Sequence, residues 1–186
     1  PVTVKCSDDL SISLEGKIDR IDAGLLRTDD MTEDEDTPVY FRVIDYKSSE
    51  HKLSVSDIVN GKDLQLIVYV EAVKNGLSQL PAFKDKNVVP ASAFYYSFDK
   101  ANISLNKRCD GDIDSQTKEN FMNGLYLAKE NAMQALHSGV YKLTSSSMTN
   151  KAAVPEGGFE MLVDEANRNI AETAVSMKSG KYPARP

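Results

Sequence analysis

Cysteine, histidine and basic charge are all scarce in this chain. The two cysteines, Cys6 and Cys109, lie far apart and have too little His or Cys company for a zinc site or a disulfide framework. That usage fits a reduced, cytoplasmic protein. No apolar run approaches about 18 residues, which excludes a membrane-spanning helix. A basic n-region followed by an apolar h-region is missing too, so no secretory signal opens the chain. Pro1-Val2-Thr3 stands where an initial Met would, and the chain reads as a segment of something longer. The 22 Lys and Arg against 28 Asp and Glu give a net charge of −6, the wrong sign for tight, unaided binding to a phosphate backbone. Nucleic-acid work would need a local basic patch, metal ions or a partner.

What remains is a globular composition, 41% hydrophobic and 27% charged over 186 residues, enough for a single domain with one sizeable core. Leu10, Ile12, Leu14 and Ile18 alternate with polar residues, predicting a half-buried strand over 10–22. The acidic run 29–36 reads as a solvated hairpin tip, without the Gly and ligand spacing of a calcium loop. A second strand over Val39–Lys47 is the antiparallel partner of the first. Apolar residues at three and four residue spacing predict a helix over Asp63–Asn75, capped by Gly76. Alternation around Ala93–Phe98 suggests a third strand within Asn87–Phe98, its start pushed toward a sheet edge by Pro90. A long amphipathic helix follows from Asp114 or Ser115 to about Ser138, stopped by Gly139. Residues 142–158 read as a long mobile loop, and Phe159–Ser179 as a last helix ended by Gly180. The order is α/β, with no internal repeat.

Asp45-Tyr46-Lys47 is the tripeptide richest in chemistry. Residues two apart share a face of a strand, so Asp45 and Lys47 point the same way. A carboxylate able to hold a hard divalent cation, beside an ammonium that can orient a water, is minimal equipment for phosphodiester hydrolysis. Taken alone, Asp-x-Lys is also a common solvated surface pair. Three further features favour the chemical reading. Asp19 falls on the polar face of the preceding strand, where it can supply a second carboxylate across the ladder. Val43 and Ile44 lead into Asp45 as a buried strand does when it delivers a side chain at its end. Gln65 and Tyr69, four apart, form a polar pair on one face of an otherwise apolar helix.

Gly16-Lys17-Ile18-Asp19-Arg20-Ile21-Asp22, Val43-Ile44-Asp45-Tyr46-Lys47-Ser48-Ser49 and Asp63-Leu64-Gln65-Leu66-Ile67-Val68-Tyr69 resemble successive motifs of the RecB-type PD-(D/E)XK nucleases, as found in ATP-dependent helicase/deoxyribonucleases. Pro90-Ala91-Ser92-Ala93-Phe94-Tyr95-Tyr96 and Gly180-Lys181-Tyr182-Pro183 resemble later segments of the same domain, so the likeness covers most of the chain. It implies a restriction-endonuclease-like α/β core, a central mixed sheet flanked by helices. By the same resemblance Asp19 and Asp45 would be metal ligands, with the backbone carbonyl of Tyr46 as a third, and Lys47 would stabilise charge at the scissile phosphate. Gln65 and Tyr69 match the family's Gln-x-x-x-Tyr motif, which supports the site or contacts DNA. Oxygen ligands of this kind suit Mg²⁺ or Mn²⁺. The implied partners are DNA and an AddA-like helicase–nuclease subunit, and the implied work is hydrolysis of single-stranded DNA during bacterial double-strand-break repair.

Two family features have no counterpart here. A metal-binding His usually precedes the first strand; neither His51 nor His137 stands there, and both read as ordinary surface or boundary histidines. Relatives also hold an iron–sulfur cluster, with one cysteine far upstream and three after the Tyr-Pro segment, which this chain does not supply. Cys6 and Cys109 read as structural thiols. The isolated chain is therefore expected to fold cooperatively but to cut DNA weakly. The alternatives are a non-catalytic DNA-scanning or structural module of the same fold and a stand-alone RecB-like nuclease.

Overall fold

The computed structural model describes residues 1–25, 37–49, 51–97, 122–136 and 153–181. Strands β1 (Val2–Ser7) and β2 (Leu10–Leu14) form a separate antiparallel hairpin. The main sheet holds β3 (Arg20–Leu25), β4 (Val39–Lys47), β5 (Val88–Ser97), β6 (Met122–Leu127) and β7 (Ala153–Val154), side by side in that order. It is mixed: β3 with β4 and β5 with β6 are antiparallel, whereas β4 with β5 and β6 with β7 are parallel. The helices are α1 (Val55–Val59), α2 (Gln65–Ser78), α3 (Glu130–Ala135) and α4 (Gly158–Lys178). No helix among the described residues is long and apolar enough to cross a membrane.

β4 matches its predicted span because both of its faces are covered, which leaves a nearly continuous apolar run. Phe41 and Val43 join a core with Ile58 of α1, Leu66, Ile67, Val70 and Val73 of α2, and Phe159, Leu162 and Ala166 of α4. α1 and α2 make the crossover between parallel β4 and β5, as parallel pairing requires. On the opposite face Arg42 is buried, and its Nε donates to Asp22 Oδ2 at 2.6 Å while Arg20 Nε donates to Oδ1 at 3.0 Å. Burial resists ionisation of Asp22, but the two guanidinium bonds outweigh it and hold the carboxyl below its usual range. The β1–β2 hairpin lies against α4, with Val2 and Val4 buried, and Lys178 Nζ donates to Asp9 Oδ2 at 2.7 Å.

Several predicted elements need correction. The strand expected over 10–22 is two strands, β2 and β3, broken at residues 15–19, and β1 precedes them. α2 begins at Gln65 and runs through Gly76 to Ser78. A Cβ on Gly76 would touch nothing, so it acts as an ordinary helical glycine, costing about 1 kcal/mol relative to Ala. Pro90 stands in a central strand, not at an edge. Its missing N–H is accommodated because it lies at the register slip beside Phe41 and below the Ser92–Tyr96 stretch that pairs with β6.

The helix expected over about 115–138 is overturned between 122 and 127, which form β6. Pairing with β5 decides this, and Gly124 permits it: a Cβ there would lie 2.0 Å from the carbonyl oxygen of Ala93. Within that span, helix is found among the described residues at Glu130–Ala135. Of the expected 142–158 loop, Ala153–Val154 form β7 and Gly158 begins α4. The rest of that loop up to residue 152, the acidic 29–36 run, Cys109, His137 and Tyr182–Pro183 lie outside the described residues. Gly180, at φ 70°, follows α4 in the left-handed conformation expected of a helix stop.

Candidate active site

β4 carries Asp45 and Lys47 on one face at its C-terminal end, where α2 begins. Asp45 is 4% exposed, and Lys47 Nζ lies 2.8 Å from its Oδ2. The helix then ties the pair together. Lys47 Nζ donates to Gln65 Oε1 at 2.9 Å, and the Gln65 amide donates to Tyr69 Oη at 2.9 Å and, more weakly, to Asp45 Oδ1 at 3.4 Å. One turn of helix is the spacing that lets Gln65 and Tyr69 meet. Tyr69 in turn rests on Gly16, where a Cβ would stand 3.0 Å from Cε1 and 3.2 Å from the hydroxyl. The Gly16 to Asp19 segment is thereby packed against the same helix face.

Asp19 is not on a strand, as the alternation suggested, but in the bend before β3. The β3–β4 ladder ends at Arg20 opposite Ile44, which leaves the next outward N–H of β4 without a strand partner. Asp19 supplies one: the Tyr46 N–H donates to Asp19 Oδ2 at 2.9 Å. The carboxylate is thus fixed beside the Asp45–Tyr46 peptide. The five residues Asp19, Asp45, Lys47, Gln65 and Tyr69 form one connected cluster with the Tyr46 backbone.

His51, read from sequence as an ordinary boundary histidine, is partly exposed but firmly held. Its Nε2 is 3.0 Å from Asp63 Oδ2, its ring meets Tyr95 edge-on at 4.4 Å, and its backbone N–H donates to Ser97 Oγ at 3.4 Å. Tyr95, fully buried in β5, donates its hydroxyl to Asp63 Oδ1. Burial and the Asp63 carboxylate both push the Tyr95 phenol well above its usual range, so it remains a donor. Lys47 Nζ lies 5.0 Å from the centroid of the same Tyr95 ring. Sequence reasoning missed Asp63 and Tyr95 as neighbours of the site. One signal was present in outline: both fall within segments already singled out by resemblance.

Among the described residues no group of three or more His, Cys, Asp or Glu side chains forms a cation cage. The smaller oxygen set nevertheless fits a hard divalent cation. Asp45 Oδ2 is buried against Lys47 Nζ at 2.8 Å, and Oδ1 takes only a long bond from the Gln65 amide at 3.4 Å. An ionised carboxylate has about four acceptor positions, so Asp45 keeps capacity for a cation beside these two contacts. In a strand a residue's C=O leaves on the same side as its N–H, so the Tyr46 carbonyl shares the edge that Asp19 occupies.

The model of the PD-(D/E)XK nuclease superfamily matches residues 1–186. The chain belongs to the PD-(D/E)XK nuclease superfamily. Its five-stranded mixed sheet flanked by helices is consistent with the restriction-endonuclease-like fold of that superfamily. Proteins named as subunits of an ATP-dependent helicase/deoxyribonuclease are similar to it. The one from Alkaliphilus metalliredigens is 25% identical over 197 residues and that from Clostridium tetani 29% over 198, each match covering 100% of this chain and 16% of the relative. In Caldanaerobacter subterraneus the identity is 35% over 117 residues, 62% of this chain and 8% of the relative. The chain therefore spans 16% of the length of the relatives it matches throughout.

Proposed function

We propose that this PD-(D/E)XK domain is the metal-dependent deoxyribonuclease domain of a bacterial helicase–nuclease, equivalent to the C-terminal nuclease domain of an AddB-type subunit. The observation that supports the reading is the state of Asp45: a buried carboxylate ion-paired to Lys47, with Asp19 fixed to the adjoining peptide. A module that only scanned DNA would gain nothing from this arrangement, since burying even a paired charge costs desolvation.

Asp19, Asp45 and the Tyr46 carbonyl would hold Mg²⁺ or Mn²⁺. When bound, that ion supplies Lewis-acid polarisation of the scissile phosphate and lowers the pKa of the attacking water. Lys47 contributes a fixed positive charge where negative charge grows on the phosphoryl oxygens. Gln65 fixes the direction of the ammonium, and Tyr69 fixes Gln65. The substrate is single-stranded DNA delivered by an AddA-like helicase partner during double-strand-break repair in the cytoplasm. An iron–sulfur cluster belongs to the complete protein and takes no ligand from these residues.

The test is Mg²⁺-dependent release of nucleotides from labelled single-stranded DNA by the complete protein with its partner subunit. Asp45→Ala is expected to abolish it. Retained cleavage in that variant would overturn the assignment of the site.

A further inference from the structure

His51 is built into its position more heavily than a loop histidine needs. The Asp63 carboxylate takes its Nε2, the buried Tyr95 ring packs edge-on against it, and the buried Ser97 hydroxyl takes its backbone N–H. Asp63 itself gives up a relaxed backbone to make the arrangement. Its φ of 54° lies in the left-handed region, and among the described residues it is the one residue other than glycine found there. Such strain persists where the surroundings over-determine it, and it clusters at functional sites. The side chain so held remains 43% exposed, and Nδ1 has no hydrogen-bond partner among the described residues.

The placement of this group matters as much as its support. His51 and Lys47 both lie against the ring of Tyr95, so that one ring relates the imidazole to the proposed catalytic ammonium. The chain carries a net charge of −6, and a strand of DNA must find local cations on it. With Nε2–H committed to Asp63, a neutral ring offers only a lone pair at Nδ1. The charged ring offers Nδ1–H as a donor.

We propose that His51, oriented by Asp63 and Tyr95, is a phosphate-contacting residue that grips the DNA backbone beside the scissile phosphate. The proposal rests on the nuclease reading above and adds to it a second, sequence-independent contact. The groups that face the imidazole are Asp63 before α2, Tyr95 on β5 and, across the Tyr95 ring, Lys47 on β4; Asp45 lies beyond Lys47. The contact is made through Nδ1–H of the doubly protonated ring.

The experiment is fluorescence anisotropy with a labelled oligothymidylate and the complete protein, in EDTA so that no cleavage occurs, at about pH 6 and over a range of KCl. His51→Gln is expected to weaken binding severalfold and to reduce the slope of log affinity against log salt by about 0.7, the value for one lost contact to a single strand. His51→Lys should restore the slope. A purely structural role predicts a lower melting temperature for His51→Gln with the slope unchanged, and that result overturns the proposal. So does a wild-type protein that does not bind the oligonucleotide. The two readings fail separately. If Asp45→Ala still cleaves with Mg²⁺ but His51→Gln loses slope, the active-site assignment falls and the contact stands; the reverse pattern removes the contact alone.

Discussion

Gly16 and Tyr69 occupy one space: the ring of Tyr69 lies where a side chain on residue 16 would be, 3.0 Å from an ideal Cβ. The Gln65 amide holds that ring by its hydroxyl, and Gln65 holds Lys47. Gly16→Ala should therefore push Tyr69 aside and loosen Lys47 at second hand. The expected cost in stability is about 1 kcal/mol, typical of a side chain forced off its rotamer, with a larger proportional loss of nuclease turnover. Turnover equal to wild type would show that the ring can shift without disturbing Gln65.

Gln65→Ala removes the link between Lys47 and Tyr69 while leaving the Asp45–Lys47 ion pair available. Groups that orient those acting on substrate or metal typically change activity by about 10- to 100-fold. The loss should fall on kcat, with Mn²⁺ affinity nearly unchanged. Steady-state kinetics beside a calorimetric Mn²⁺ titration measure both, and a large fall in metal affinity would place Gln65 among the ligands.

Metal affinity should depend on both carboxylates. Asp19→Ala and Asp45→Ala are each expected to abolish measurable Mn²⁺ binding, since two carboxylates and a carbonyl leave little redundancy. Lys47→Ala should leave binding largely intact and remove cleavage, because an ammonium carries only donors and repels a cation. Equal Mn²⁺ affinity in wild type and Asp45→Ala would dismiss the site.

Asp22 provides a prediction that needs no metal. Burial opposes its charge, yet Arg20 and Arg42 together hold its folded-state pKa below the ordinary carboxylate range. A depressed carboxyl contributes stability above its unfolded pKa, and that contribution is lost as pH falls toward the folded value. Asp22→Asn should thus lower the melting temperature at pH 7, and the gap from wild type should close as pH drops below about 4. A gap that persists unchanged at about pH 2.5 would trace the effect to hydrogen bonding rather than charge.

The site's strand and helix were legible in the sequence, and the linking turns much less so. β4 could be read because Val39 to Ile44, buried on both faces, make a short β-branched and aromatic run that ends in charge. Gln65 and Tyr69 were found because helical periodicity places them together. β6 was misread because Met122, Leu125 and Tyr126 fall at three and four residue spacing, a helical pattern, whereas its conformation is set by the exposed backbone of β5. Asp19 was assigned to the wrong element but the right neighbourhood, since the bend that carries it has no periodicity. His51 could not be joined to Asp63 and Tyr95 from sequence: a left-handed residue and a crossover bring them together, and neither leaves a regular spacing.

The clasp between the β1–β2 hairpin and α4 has a consequence for biosynthesis. Asp19, Asp45, Lys47, Gln65 and Tyr69 are all made well before the helix that packs on β1 and binds Asp9, since that helix begins only at Gly158. Contacts of such long sequence separation form late, because the intervening chain must first be ordered. Until then the hairpin carries uncovered valines and the core lacks Phe159, Leu162 and Ala166. Surface exposed in that interval favours aggregation, and a newly made site remains unfinished until its distant helix arrives.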